Sequence, residues 1–162
     1  MNGDMEEIMS LYSSIKVLVT GSDGYIGKYI ANRLDKEGYF VIYGNRRLWL
    51  SGNADYIVHC AGCRPRPGVT IEDYINGNIN YTRLIINYAE RGGTKKLIYL
   101  SSDVVVHPDE YKWPGYSTTK LIGELLMEGR KFKVNILRLP KIAVDSDLEF
   151  VAQNVLELIK HG

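Results

Sequence analysis

Two cysteines in 162 residues cannot make a disulfide framework, so a reducing compartment, the cytoplasm, is expected. Neither sign of charge dominates, with 20 Lys and Arg against 19 Asp and Glu for a formal +1. A nucleic-acid binder advertises a basic surplus, so nucleic acid is not an expected partner. Apolar runs reach only about five residues. A bilayer span needs roughly 20, so no membrane association is expected. The opening stretch, MNGDMEEIMS, is acidic and lacks the apolar centre of a signal peptide. No internal repeat or low-complexity tract occurs, and no His, Cys, Asp and Glu cluster has metal-ligand spacing, so no metal is expected.

What is present describes a folded domain. Hydrophobic residues make up 45% and charged residues 24%, an ordinary globular balance that excludes wholesale disorder. Residues 1–14 read as a polar arm or short helix, and residues 15–162 as a single domain. Short β-branched runs alternate with helical patterns. KVLVT (16–20), YFVIY (39–43), YIVHC (56–60), KLIYL (96–100) and VNILRL (134–139) read as strands. Residues 24–37, 70–91, 116–130 and 147–160 read as helices, the second with Ile71, Ile75, Thr82, Ile85 and Ala89 on its core face. This order predicts an α/β, Rossmann-type, doubly wound parallel sheet of five to six strands in three α/β/α layers. Ligands then bind at the carboxyl ends of the strands. GNRRLWLSGNAD (44–55) is too short to hold a full strand-helix unit between the second and third strands.

The loop between the first strand and first helix reads Thr20-Gly21-Ser22-Asp23-Gly24-Tyr25-Ile26-Gly27, a G-x-x-G-x-x-G spacing. Gly21 permits the tight turn, Gly24 lets backbone approach a pyrophosphate at the helix N-terminus, and Gly27 lets helix pack on sheet. A bare glycine pattern is weak, but a strand before and a helix after are the context that supports it. Gly21, Asp23, Gly24, Tyr25, Ile26 and Gly27 are therefore candidate cofactor contacts; the alternative is a ligand-free structural turn. Asn45 stands eighteen residues after Gly27, where an NAD site carries a ribose-binding carboxylate. Asparagine does not repel a 2′-phosphate, and the guanidinium of Arg46 or Arg47 suits one. NADP is the preferred cofactor on this reading, with NAD the alternative. A solvated turn is the competing explanation for the two arginines.

Tyr116 and Lys120 are four residues apart and share a helix face. A free phenol has a pKa near 10, and a neighbouring ammonium moves it toward the working range of an acid-base. Lys120 can also hold a ribose hydroxyl. Ser101-Ser102-Asp103 follows the fourth strand at its ligand-facing end, which makes Ser102 the candidate donor to a substrate oxygen. Tyr-x-x-x-Lys alone arises often by chance; the ordered set with the glycine loop and a strand-end serine is specific.

With these residues in place, the chain resembles the extended short-chain dehydrogenase/reductases, the NAD(P)-dependent nucleotide-sugar epimerase, dehydratase and reductase group. The resemblance is carried by VLVTGSDGYIG (17–27), DYIVHCAG (55–62), NINYT (78–82), LIYLSSD (97–103), YSTTK (116–120) with Glu124, and ILRLP (136–140). It implies Ser102, Tyr116 and Lys120 as catalytic residues, with hydride transfer at a carbonyl or alcohol of a small-molecule substrate, such as a nucleotide-sugar. It also implies that Cys60, Ala61 and Gly62 line the adenosine and nicotinamide-ribose side, that Asn78 lies near the cofactor, and that Leu139 and Pro140 lie near the carboxamide. A homodimer built from helices 70–91 and 116–130 is implied as well. Several features depart from the family pattern. Tyr81 stands at the usual glycine of the asparagine motif, and only 13 residues separate Ser102 from Tyr116. Val104 replaces the glutamate of the dehydratases, which disfavours dehydration. With Gly162 as the last residue, the usual C-terminal substrate domain is not expected. A dinucleotide-binding module without turnover, a sensor or subunit, is the alternative function.

Two further patterns have competing explanations. Cys60-Ala61-Gly62-Cys63 spells C-x-x-C but follows a strand rather than opening a helix, which disfavours redox use. His59 reads as strand packing. Tyr74, Tyr81 and Tyr88 recur every seven residues, either as a buried stripe or as an exposed seam for a partner helix.

Overall fold

The computed structural model describes residues 14–45, 52–106 and 112–161. Residues 1–13, with most of the expected arm, lie outside that set, as do Arg46 and Arg47. The strands are β1 (Lys16–Thr20), β2 (Phe40–Gly44), β3 (Tyr56–His59), β4 (Lys96–Ser102) and β5 (Lys133–Leu139). All pair in parallel in the order β2-β1-β3-β4-β5. The helices are α1 (Tyr25–Lys36), α2 (Ile71–Tyr74), a π-helical stretch (Ile75–Asn80), α3 (Tyr81–Gly92), α4 (Pro114–Leu125) and α5 (Asp145–Lys160).

Strand side chains alternate between two cores, as a sheet covered on both faces requires. Val17, Val19, Val58, Ile98 and Leu100 pack under α1 and α5. Leu18, Ile57, Leu97 and Tyr99 pack on the opposite face, with Ile85, Ile86 and Ala89 of α3 and with Met127 beyond α4. Chain direction reverses beside β1: α1 leads to β2 on one side, and β3 returns on the other. The crevice at that switch point is where a doubly wound sheet takes its ligand. Gly21 turns the chain there with φ +66°, and a Cβ on it would lie 2.8 Å from Ala61 Cα, so the glycine loop and the loop after β3 meet. A Cβ on Gly27 would overlap the Gly21 carbonyl.

The expected long helix is present but interrupted. The π stretch inserts an extra residue per turn and rotates the apolar face between its two halves. Ile71 and Ile75 were expected in the core; they lie on the surface at 59% and 39% exposure, while Thr82, Ile85 and Ala89 are buried as the periodicity predicts. Tyr74 takes the inward position at 4% exposure, and Tyr88 is buried too. The tyrosine repeat is therefore mostly a core stripe, and its reading as an exposed partner seam is corrected. The expected helix 116–130 begins at Pro114, which suits a first turn that needs no N–H, and ends at Leu125.

Close packing beneath α4 yields a test. A Cβ on Gly123 would overlap the Tyr99 hydroxyl, and Tyr99 is fully buried. Gly123→Ala should destabilise the fold by about 1–3 kcal/mol. Part of that loss should return in the Tyr99→Phe background, measured as a double-mutant cycle of urea unfolding.

Candidate active site

A cleft of about 860 Å³ lies along the carboxyl ends of β1, β3, β4 and β5. Gly21, Asp23, Gly24, Tyr25, Ile26 and Gly27 form one wall. Cys60, Ala61, Gly62 and Asn78 line its middle, and Ser102, Tyr116, Lys120, Leu139 and Pro140 line its far end. The structure thus gathers nearly every sequence-predicted site residue into one space. Asn45 is the described exception: it is half-buried just beyond β2, and it does not line the cleft. Ser22 donates to the carbonyl of neighbouring Gly44 at 3.3 Å, which ties the glycine loop to the end of β2.

The residues present fit a dinucleotide. Helix α1 starts at Gly24 without a side-chain cap and without an acidic residue in its first turn. Its first N–H groups and positive dipole end are left for an anion, and the missing Cβ atoms at Gly21 and Gly24 leave room for close approach. Arg64, Arg66 and Lys141 also line the cleft against Asp23 and Asp103, so its charge favours phosphates. Sequence reasoning missed these three cations, although their places directly after β3 and β5 were a usable signal.

A buried line of hydrogen bonds holds the walls together. The Ala61 N–H donates to Thr20 Oγ1 at 3.1 Å, and Thr20 Oγ1 lies 2.6 Å from His59 Nδ1. On the other side of the ring, His59 Nε2 lies 2.9 Å from Thr82 Oγ1, whose hydroxyl donates to the Asn78 carbonyl at 2.8 Å. Thr82 has one proton and spends it on Asn78, so His59 donates through Nε2 and accepts at Nδ1. The imidazole is neutral: burial, then the charge of Lys120, pulls its pKa to about 3. His59 is packed in the core as expected, and the structure adds this relay.

Asn78 extends the line to α4. Its Oδ1 accepts from Cys63 N at 2.7 Å, and its Nδ2 donates to Cys63 O at 3.2 Å and to Thr119 Oγ1 at 3.0 Å. Thr119 in turn donates to Gly115 O at 2.7 Å. Asn78, only 1% exposed, thereby ties the loop after β3 to the helix bearing Tyr116 and Lys120. The Tyr74 ring stands 6.1 Å from that of Tyr116, centroid to centroid, and backs it.

Lys120 is 5% exposed. Its Nζ donates to Leu100 O at 2.6 Å and sits 4.2 Å from the centroid of the Tyr99 ring. Burial lowers its pKa to about 7, against upward pulls from Glu124 and Cys60. Glu124 is itself clamped by Arg138, with Nε to Oε1 at 3.0 Å and Nη2 to Oε2 at 2.7 Å. Burial works to raise the Glu124 carboxyl, but these bonds outweigh it and hold it below the usual carboxylate range. Ser102 Oγ donates to Asp103 Oδ1 at 3.3 Å. Cys60 and Cys63 form no disulfide, and burial pushes Cys60 up to about 12, which removes the thiolate a redox C-x-x-C needs.

The NAD dependent epimerase/dehydratase family profile matches residues 17–139, most of the chain and all of these walls except the tip after Leu139. The chain belongs to the NAD-dependent epimerase/dehydratase family. Solved structures share the fold. A UDP-galactose 4-epimerase superposes with a TM-score of 0.68 at 19% identity, over 76% of this chain and 55% of that one. A UDP-glucuronic acid 4-epimerase from Bacillus cereus in complex with NAD gives 0.64 at 22%, over 78% and 57%. A short-chain dehydrogenase/reductase superfamily protein from Agrobacterium tumefaciens with bound NAD gives 0.64 at 21%, over 76% and 48%. The chain spans about half the length of these structures. No curated protein sequence matches it. Among the described residues of this family member, no helix is long and apolar enough to cross a membrane.

The neutral His59 makes stability pH-dependent. Its folded pKa of about 3 lies below the ordinary 6.5, so between those values the unfolded chain takes up a proton that the folded one refuses. Stability should therefore fall as pH drops from 6.5 toward 3, by at most about 1.4 kcal/mol per pH unit from this group. His59→Gln, which keeps one donor and one acceptor, should flatten that slope in urea unfolding followed across the range.

Proposed function

We propose that the chain binds an NAD(P) dinucleotide along the cleft and catalyses hydride transfer at an alcohol or carbonyl carbon, as an oxidoreductase or epimerase of a nucleotide-sugar. The observation that carries this reading is the convergence of the glycine loop with Ser102, Tyr116 and Lys120 in one space. When bound, the dinucleotide supplies or accepts the hydride at its nicotinamide ring. Ser102 donates a hydrogen bond to the substrate oxygen. Tyr116 takes the hydroxyl proton as the alcohol becomes a carbonyl, and returns it in the reverse direction. Lys120 holds positive charge on the helix face it shares with the phenol, supported by the buried Glu124 carboxylate that exposed Arg138 clamps. Arg64, Arg66 and Lys141 favour a substrate or cofactor that carries phosphate. The preference for NADP over NAD rests on the sequence position of Asn45 alone, since Asn45 does not line the cleft. The hydrogen bond from Lys120 to Leu100 O favours a second reading, in which the dinucleotide is held without turnover.

Tyr116→Phe should lower turnover of a UDP-hexose at least about 100-fold while dinucleotide affinity, measured by calorimetry, stays within about twofold. Unchanged turnover sinks the catalytic assignment, and tight binding with no wild-type turnover on a panel of nucleotide-sugars favours the second reading.

A homodimer is part of the same proposal. Ile71, Ile75, Leu84, Leu121 and Leu125 are exposed apolar residues on the two neighbouring helical segments expected to pair. Light scattering should give twice the chain mass, and Leu121→Glu with Leu125→Glu should return it to one.

A further inference from the structure

Tyr99 does not line the cleft, yet its ring meets the lysine of the proposed acid-base pair. It is a β4 side chain, buried in the core between the sheet and α4. The ammonium of Lys120 sits 4.2 Å from the centre of its ring. Among the described residues, that ammonium has one hydrogen-bond acceptor, Leu100 O at 2.6 Å. Glu124, the carboxylate one turn further along α4, has both oxygens engaged by Arg138. So deeply buried an ammonium has given up most of its hydration, and a single carbonyl does not replace it. The face of an aromatic ring carries negative potential and attracts such a cation, more strongly where water is excluded.

The surroundings hold the ring in that place. His59 of β3 stands opposite Tyr99 in the sheet, and the two rings lie 5.5 Å apart. His59 is fixed in turn by Thr20 and Thr82. Gly123 follows Lys120 by three residues and so shares its helix face. A Cβ there would overlap the Tyr99 hydroxyl, so the glycine lets α4 settle onto Tyr99 and brings Lys120 over the ring. The titratable groups around the ammonium are Tyr116 and Glu124 on its own helix, Tyr99 on β4, and Cys60 and the neutral His59 on the β3 side. Arg138 of β5 acts on it through Glu124. We propose that Tyr99 positions Lys120 for the reaction, its ring seating the ammonium and keeping it charged on the helix face shared with Tyr116. This assignment rests on the hydride-transfer reading above and adds how the charge of the lysine survives burial.

The test is the titration of Lys120, read by NMR on the ligand-free full chain with isotope-labelled lysine Cε, its signal identified by loss in Lys120→Met. Tyr99→Leu removes the ring and keeps an apolar side chain, and its Lys120 midpoint should fall by at least about half a pH unit. Tyr99→Phe keeps the ring face and should stay within about a quarter of a pH unit of wild type. Packing alone would not follow the electronics of the ring. Phenylalanines with one, two and three ring fluorines in place of Tyr99 hardly change its size and should lower the midpoint stepwise. That series decides the matter if Tyr99→Leu does not fold. With less positive charge near it the phenol ionises less readily, so the rising limb of UDP-hexose turnover against pH should move to higher pH in Tyr99→Leu. KM should hold within about twofold, because Tyr99 does not line the cleft. An unchanged Lys120 midpoint across the fluorinated series, or equal falls in Tyr99→Phe and Tyr99→Leu, overturns the assignment and leaves the hydride-transfer reading intact. A wild-type pH profile despite a lowered midpoint also overturns it. Absence of wild-type turnover on a panel of nucleotide-sugars removes the underlying reading, and a positioning role in that reaction falls with it.

Discussion

Five side chains carry a continuous polar line through the centre of this fold: Thr20, His59, Thr82, Asn78 and Thr119. It begins at the end of β1, crosses β3, enters the π-helical stretch and ends on α4. Every member is at most 2% exposed, so each unmade bond would leave a polar group without water to replace its partner. The line therefore holds only when both walls of the cleft are in register. It makes the spacing between the glycine loop and the Tyr116–Lys120 helix a property of the core rather than of surface loops. The bond from Thr82 to the Asn78 carbonyl fixes the tautomer, and a charged His59 would have to reverse the Thr20 bond and bring an uncompensated charge into the core.

The π stretch follows from the same constraint. A regular helix would continue the face of Thr82, Ile85 and Ala89 back to Ile75 and Ile71. The inserted residue turns Asn78 and Tyr74 inward instead, where one reaches Cys63 and Thr119 and the other backs Tyr116. Helical regularity is given up where the site needs an amide. The displaced isoleucines become surface beside α4, which leaves an apolar strip on that side of the molecule.

Lys120 shows how opposed terms set a working group. Burial lowers its affinity for a proton, while the Glu124 carboxylate, held charged by Arg138, and the Tyr99 ring favour the ammonium. The outcome lies near neutrality, where a small change in solvation or a nearby phosphate shifts the balance.

Much of this was legible in the residues alone. Alternating β-branched strands and amphipathic helices determine a parallel three-layer sheet, because period and burial are local properties of a chain segment. Glycine spacing between a strand and a helix marks the turn that walls the cleft, and Tyr116 with Lys120 marks the helix that faces it, since both depend on spacing within one element. Tertiary structure alone decided the rest. The His59 relay joins β1, β3 and the π stretch; Tyr99 meets Lys120 only because β4 lies under α4; and Arg64, Arg66 and Lys141 converge only when the ends of β3 and β5 are brought to one crevice. These contacts join residues tens of positions apart, and no local period encodes which side chains will face each other across a folded sheet.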